Sequence, residues 1–93
     1  MTIAAHALHP SGYAACNVAL LRWLEEQPSP PTRDEMPERM RLVLDGLVLN
    51  RFVASADGAP IPVGYGVGVR FVLSPEGRRV INAAAAAEQG KAA

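Results

Sequence analysis

The stretch from Ser74 to Gly77, with the sequence SPEG, restricts the folding of this 93-residue chain more than any other feature. Serine is a favoured N-cap, proline suits the first helical position, and an acid in the first turn faces the positive end of the helix dipole. The run from Val67 to Leu73 alternates in polarity and predicts a strand. A strand therefore leads into a capped helix, which we expect to reach Gln89 and to stop at Gly90.

Three helical segments are predicted before that strand. Tyr13 to Gln27 carries apolar residues at helical spacing, and the prolines at 28, 30 and 31 end the helix because proline lacks an amide donor. Thr32 is placed to cap a short turn through Met36. Pro37 then fits the start of a helix from Glu38 to Leu47.

A hairpin with a long tip completes the expected fold. Val48 to Ala54 is rich in β-branched and aromatic residues and predicts the first strand, while Ser55 to Gly66 contains turn signals. The prediction is one α+β domain over residues 11–90. Residues 1–10 are expected to form a frayed N-terminus and residues 91–93 a C-terminal tail.

Two stretches resemble a known family. The first is Leu44-Asp45-Gly46-Leu47-Val48, which is similar to the "L-x-x-G-L-V" motif where a recognition helix enters a wing strand. The second is the run from Phe71 to Arg79, which is similar to the step from the second wing strand into the next helix. Together they resemble the winged helix-turn-helix family, in particular MarR-like and related bacterial or phage regulators. The resemblance implies a dimeric, non-enzymatic regulator of transcription that binds double-stranded DNA.

Four arginines are the candidate DNA contacts under that resemblance. Arg39 and Arg41 lie near the start of the predicted recognition helix, where an arginine side chain can bind guanine. Arg51 and Arg70 lie on the wing strands, where they can contact phosphates or the minor groove. Equally, Arg39 and Arg41 fit a solvated helix face paired with Glu38 and Asp45. Arg51 and Arg70 fit ordinary exposed strand positions. The net charge of zero argues against strong, sequence-independent binding to nucleic acid.

A second function is compatible with the same fold. Only Thr32 to Met36 is available for the second helix of a helix-turn-helix, and the wing tip carries Ile61, Val63 and Tyr65 but no lysine or arginine. Such a tip either contacts a protein or folds back on its own hairpin. The alternative is therefore a small protein-binding module, such as a phage-type inhibitor or assembly adaptor, whose partner is a host or phage protein.

The last helix is the candidate dimerisation element. Its apolar stripe consists of Val80, Ile81 and Ala84, and the neighbouring alanines permit close approach by a partner helix. Leu20 and Trp23 of the first helix are expected to add apolar area to the interface. We predict a homodimer through these residues. The alternative is that the stripe packs within its own chain.

Other functional classes lack their signatures. Cys16 is the only cysteine and is interpreted as a small buried residue; His6 and His9 have no third ligand for a metal. We find no pattern for a nucleophile with its base, for a phosphate-binding loop, for a signal peptide or for a membrane span. We therefore predict a cytoplasmic, non-enzymatic protein without a cofactor.

Overall fold

The computed structural model describes residues 7–61 and 68–92, with side chains up to residue 90. In this part of the chain, three helices and a two-stranded antiparallel hairpin form a small α+β domain. The elements in chain order are α1 (Ala15–Glu25), a 3₁₀ helix (Arg33–Glu35), α2 (Glu38–Leu49), β1 (Val53–Ser55), β2 (Phe71–Leu73) and α3 (Pro75–Ala92).

The segment before α1 belongs to the folded region. Leu8 forms a β-bridge with Ala14, and the Ala15 amide donates to the Ala7 carbonyl at 3.0 Å. Residues 7–10 therefore differ from the frayed terminus that we expected, because backbone hydrogen bonds fasten them to the start of α1. Residues 1–6 lie outside the described part.

The turn predicted between Thr32 and Met36 is confirmed. The Thr32 amide donates to the Glu35 carboxylate at 2.8 Å, completing a capping box around the 3₁₀ helix. This hydrogen bond lowers the pKa of Glu35 below its ordinary value. Met36 is buried directly after the turn, and Pro37 is the N-cap of α2.

The end of α2 differs from the prediction. We expected a strand from Val48, but the helix continues to Leu49 and β1 begins only at Val53. The amide of Phe52 donates to the carbonyl of Leu47, and that of Arg51 to Val48, which is a Schellman motif. Arg51 takes the left-handed conformation, φ 62°, that usually goes to glycine at this position.

The hairpin has a short, well-defined register. Val53 pairs with Leu73, Ala54 with Val72, and Ser55 with Phe71. The predicted antiparallel pairing is thus confirmed, but both strands are shorter than we predicted, and Val67 lies outside the described residues. The other edge of β2 is hydrogen-bonded to residues 31–32. The Phe71 amide donates to the Pro31 carbonyl at 2.9 Å, and Thr32 forms a β-bridge with Arg70.

A single hydrophobic core joins the helices to the hairpin. The predicted core residues Leu21, Leu24, Leu44, Leu47 and Phe71 are all buried, and the predicted Val69 is partly buried against them. The remaining buried apolar residues of the described chain are Val18, Leu20, Met36, Val53, Val80, Ile81 and Ala84.

The junction between β2 and α3 follows the sequence prediction closely. Ser74 caps α3, since its Oγ accepts a hydrogen bond from the Gly77 amide at 3.0 Å, and its hydroxyl donates to the Arg51 carbonyl. A Cβ added at Gly77 would overlap the Phe52 carbonyl oxygen and lie 3.3 Å from the Leu73 side chain. Glycine is therefore needed here for close packing.

The end of α3 was predicted wrongly. The helix continues through Gly90 to Ala92. Glycine lowers helix propensity by about 1 kcal/mol relative to alanine but poses no steric block, and the preceding alanine run favours continuation.

Replacing Gly77 with alanine tests the packing at the junction. Gly77→Ala should destabilise the fold by about 1 to 3 kcal/mol or more, because the new methyl group overlaps backbone that is itself held by Ser74. Gly46→Ala is the matched control. At that position a Cβ meets nothing within 4 Å, so alanine should stabilise α2 by roughly 0.5 to 1 kcal/mol. Urea denaturation measures both; equal midpoints would contradict the packing argument.

Leucines on opposite sides of α2 should respond differently to truncation. Leu47→Ala should cost about 2 to 5 kcal/mol because it leaves a cavity in a fully buried site. Leu42→Ala should change the free energy of unfolding by less than about 0.5 kcal/mol because this side chain is exposed. Thermal melts report both values, and an unchanged melt for Leu47→Ala would reject the core assignment.

Candidate functional site

The outward side of α2 is the most distinctive surface of the described chain. Its opposite side is fixed to the core by Leu44 and Leu47, which are fully buried. The residues left exposed are Glu38, Arg39, Leu42, Asp45, Gly46 and Leu49. We call this set the α2 face.

Two leucines dominate the α2 face. Leu42 is 80% exposed and Leu49 is 82% exposed, so both side chains of this one helix stand in solvent. Seven residues make nearly two turns, so these side chains lie on one side of α2, about 10.5 Å apart along its axis. Gly46 lies between them along the helix, and a Cβ added there would meet open space.

The charges on the α2 face are mixed. Glu38 and Asp45 are also seven residues apart and follow one edge of the leucine pair, while Arg39 lies on the other edge. All three are exposed. The face therefore has an apolar centre, an acidic edge and a single basic residue, which differs from a surface built to hold phosphate.

The four arginines proposed as DNA contacts do not act as one basic stripe. Arg41 is half-buried, and its Nη1 donates to the Met36 carbonyl at 3.1 Å. Arg70 Nη1 donates to the Pro30 carbonyl at 2.8 Å and lies 3.4 Å from the Glu35 carboxylate. Both side chains are thus used to hold neighbouring backbone in place.

The other two arginines are more available. Arg39 is exposed, and its guanidinium makes no hydrogen bond or ion pair with any described residue. Arg51 is exposed at the end of α2 and borders an open cleft that Glu76 also lines. A carboxylate beside Arg51 weakens the case that this cleft attracts phosphate.

The residues predicted as a dimer interface lie inside the chain. Leu20, Val80 and Ala84 are fully buried, Ile81 is 8% exposed, and Trp23 is half-buried against the core. They pack α3 onto α1 of the same chain, which is the alternative left open by the sequence. The expected interface therefore needs correction, since these side chains offer a second copy almost no surface.

Two further sequence predictions have mixed outcomes. Of the wing-tip residues, Ile61 is half-buried against the core, whereas Val63 and Tyr65 lie outside the described residues. Cys16, interpreted as buried, is exposed at the start of α1, because the helix turns Val18 and Leu21 toward the core instead.

A polar cluster at the ends of α1 and α3 has no signal in the sequence, because its members are far apart along the chain. Glu88 accepts hydrogen bonds from both terminal nitrogens of Arg22, at 2.7 and 2.8 Å, and its carboxylate lies 2.8 Å from His9 Nε2. The Ser11 amide donates to His9 Nδ1 at 3.0 Å. The Ser11 Oγ also lies 3.0 Å from His9 Nδ1. The cluster is a structural clamp that joins residues 9–11 to both helices.

The described residues do not form other recognisable sites. Within residues 7–61 and 68–90, no group of three or more histidine, cysteine, aspartate or glutamate side chains is arranged to hold a metal ion. In the same part of the chain, no helix has the length and hydropathy needed to cross a bilayer.

Acid should weaken the clamp at Glu88. Its hydrogen bonds with Arg22, and then with His9, lower the pKa of Glu88 from its ordinary value near 4.5 to about 2. Because the folded-state pKa lies below the unfolded-state value, this carboxylate stabilises the fold above about pH 4.5, and the contribution is lost as the pH falls toward about 2. Glu88→Gln should therefore lose less stability than the unmodified chain over that window.

The measurement is a series of thermal melts across the same pH window. Glu26→Gln is the matched control, since Glu26 is also exposed and its side chain makes no hydrogen bond with a described residue. The melting temperature of this variant should change with pH as that of the unmodified chain does. If the melting temperature of Glu88→Gln shows the same change with pH, the clamp does not link stability to pH.

Comparison with known proteins assigns the chain to no family. No protein-family model matches it, and neither the curated proteins nor the solved structures include a match. The functional argument therefore depends on the α2 face and the charges around it.

Proposed function

We propose that this chain is a protein-binding module on a winged-helix-like fold, and that the α2 face is its docking surface. The observation that carries the proposal is the exposure of Leu42 and Leu49 on one side of α2. Inhibitors and assembly adaptors, such as those of phages, are the kinds of protein that this proposal favours.

The apolar centre of the α2 face supports binding to protein. Single exposed leucines are normal on protein surfaces, but two on one side of the same helix offer a partner two apolar contacts at once. Burying one leucine side chain contributes about 1.5 to 3 kcal/mol. A partner that covers both would gain about 3 to 6 kcal/mol from apolar burial, which offsets part of the free energy that association costs.

The order of elements supports the winged-helix comparison. α2 follows a short helical turn and precedes a hairpin, which is the order that a recognition helix would have in the proposed fold. The close approach of Gly77 to Phe52 gives a physical reason for the glycine in the motif after the second wing strand. A recognition helix projects from its domain, so the same position serves contact with a protein as readily as contact with DNA.

DNA binding is the second candidate. The observation in its favour is Arg39, which is exposed in the first turn of α2, where recognition helices contact base edges. The acidic residues on the same face oppose it, because Glu38 and Asp45 would approach phosphates. Transcriptional regulation through DNA is therefore the weaker proposal.

The α2 face is tested by removing its leucines. A Leu42→Ser, Leu49→Ser double variant should bind the partner at least about tenfold more weakly, because burying each leucine side chain contributes about 1.5 to 3 kcal/mol. Leu8→Ser is the matched control, since Leu8 is 69% exposed but precedes α1. The measurement is affinity capture from lysate of the source cells with each variant, followed by titration of the captured protein.

Each outcome has a definite meaning. Loss of one captured protein with the double variant, and its retention with Leu8→Ser, supports the proposal. Capture that resists the double variant contradicts it. A gel shift with genomic fragments that is abolished by Arg39→Ala, and preserved by the leucine double variant, would replace the proposal with DNA binding.

A further inference from the structure

We infer that the partner at the α2 face is a second copy of this chain, and that the two α2 helices lie side by side and parallel across a two-fold axis. The inference rests on the proposed function and names the occupant of the same surface. Three observations carry it. They are the spacing of the exposed Leu42 and Leu49, the positions of Glu38 and Arg39 on opposite edges, and the lack of a partner for either charge among the described residues.

The leucine pair is matched to itself in a parallel arrangement. Leu42 and Leu49 are seven residues apart, and seven is the repeat that keeps side chains on the seam between two slightly supercoiled helices. A two-fold axis parallel to α2 sets each leucine against the same leucine of the second copy, at equal height. All four side chains, which are about four-fifths exposed in the single chain, are then covered together.

The charges on the two edges are complementary under the same symmetry. In a parallel two-fold pair, one edge of each helix faces the opposite edge of the other helix. Arg39 therefore faces Glu38 of the second copy, with a difference in height of about 1.5 Å, which is the rise of one residue. The symmetry makes two such ion pairs. In an antiparallel pair each edge faces its own equivalent instead, so Arg39 and Glu38 do not meet.

Neither charge has a partner within the described part of the chain. Glu38 and Arg39 are exposed and make no hydrogen bond or ion pair with a described residue. They cannot pair with each other, because adjacent residues of a helix do not face one another. The nearby carboxylate of Glu35 already accepts the Thr32 amide. Asp45 already has an interaction in the structure, so the inference assigns it no contact with the second copy.

The contact is small, so the dimer is expected to be weak. α2 has 12 residues, which makes it about 18 Å long, and only its outward side is available. Interfaces that bury less than about 1,200 Å² in total are typical of transient complexes. We therefore expect a dissociation constant in the micromolar to millimolar range, and a dimer that dissociates on dilution.

Self-association of the full chain tests the inference. Amide shifts of the ¹⁵N-labelled chain are followed by NMR as its concentration rises from micromolar to millimolar, and sedimentation equilibrium gives the mass. The shifts of the unmodified chain should move with concentration in α2, and the mass should approach that of a dimer. The Leu42→Ser, Leu49→Ser variant should abolish both effects. Leu8→Ser, at an exposed leucine outside α2, should change neither.

Charge reversal tests the parallel arrangement. Arg39→Glu and Glu38→Arg each set like charges opposite one another, so each variant alone should dimerise roughly twofold to thirtyfold more weakly. An equimolar mixture of the two variants should recover the lost affinity, because a basic copy then faces an acidic copy. Arg79→Glu is the matched control, since Arg79 is exposed on α3 and its reversal should leave dimerisation unchanged.

The failure of this inference differs from the failure of the proposed function. A chain that stays monomeric at millimolar concentration would overturn the inference. If the leucine double variant still loses a captured protein in that case, the proposed function stands with a different protein as the occupant; if it loses none, both proposals fail. A dimer that survives the leucine double variant would also overturn the inference, as would a mixture of charge variants that recovers no affinity.

Discussion

The hydroxyl of Ser74 joins the two halves of the domain. It donates to the carbonyl of Arg51 at the end of α2 and accepts the amide of Gly77 in the first turn of α3. Ser74 is nearly buried, so water competes little for these bonds, and removing the hydroxyl would leave buried backbone groups without partners. The absence of a side chain at Gly77 lets α3 approach Phe52, and the same short turn therefore sets how the hairpin, α2 and α3 meet.

That junction also determines which side of α2 faces outward. The Schellman motif ends the helix with Leu47 and Val48 as acceptors, and it requires a left-handed residue at Arg51. A left-handed conformation costs a non-glycine residue about 1 kcal/mol or more, which the bond from Ser74 to the Arg51 carbonyl helps to offset. With Leu44 and Leu47 held in the core, the helical period leaves Leu42 and Leu49 no direction except toward solvent.

Local sequence rules predicted the elements whose signals are local. The capped start of α3, the turn after Thr32 and the prolines after α1 all depend on residues within one helical turn of each other, so their chemistry can be read directly. The start of β1 could not be predicted in this way, because Val48 and Leu49 suit a strand as well as a helix. The residue that ends α2 is a left-handed arginine, where a glycine would have been recognisable in the sequence. The clamp of His9, Arg22 and Glu88 depends on tertiary distance alone. The exposure of Leu42 was equally hidden, since an apolar residue on a helix is normally assigned to the core.

If the proposed function is right, Leu42 and Leu49 separate folding from recognition in this domain. Their side chains lie away from the core, so the fold gains almost nothing from them, whereas each exposes apolar area that water solvates poorly. Under the proposed function, a partner that covers both side chains would gain that free energy at the interface. Such binding would then be altered at α2 without altering the junction that holds the helix, and stability would be altered at Gly77 without touching the α2 face.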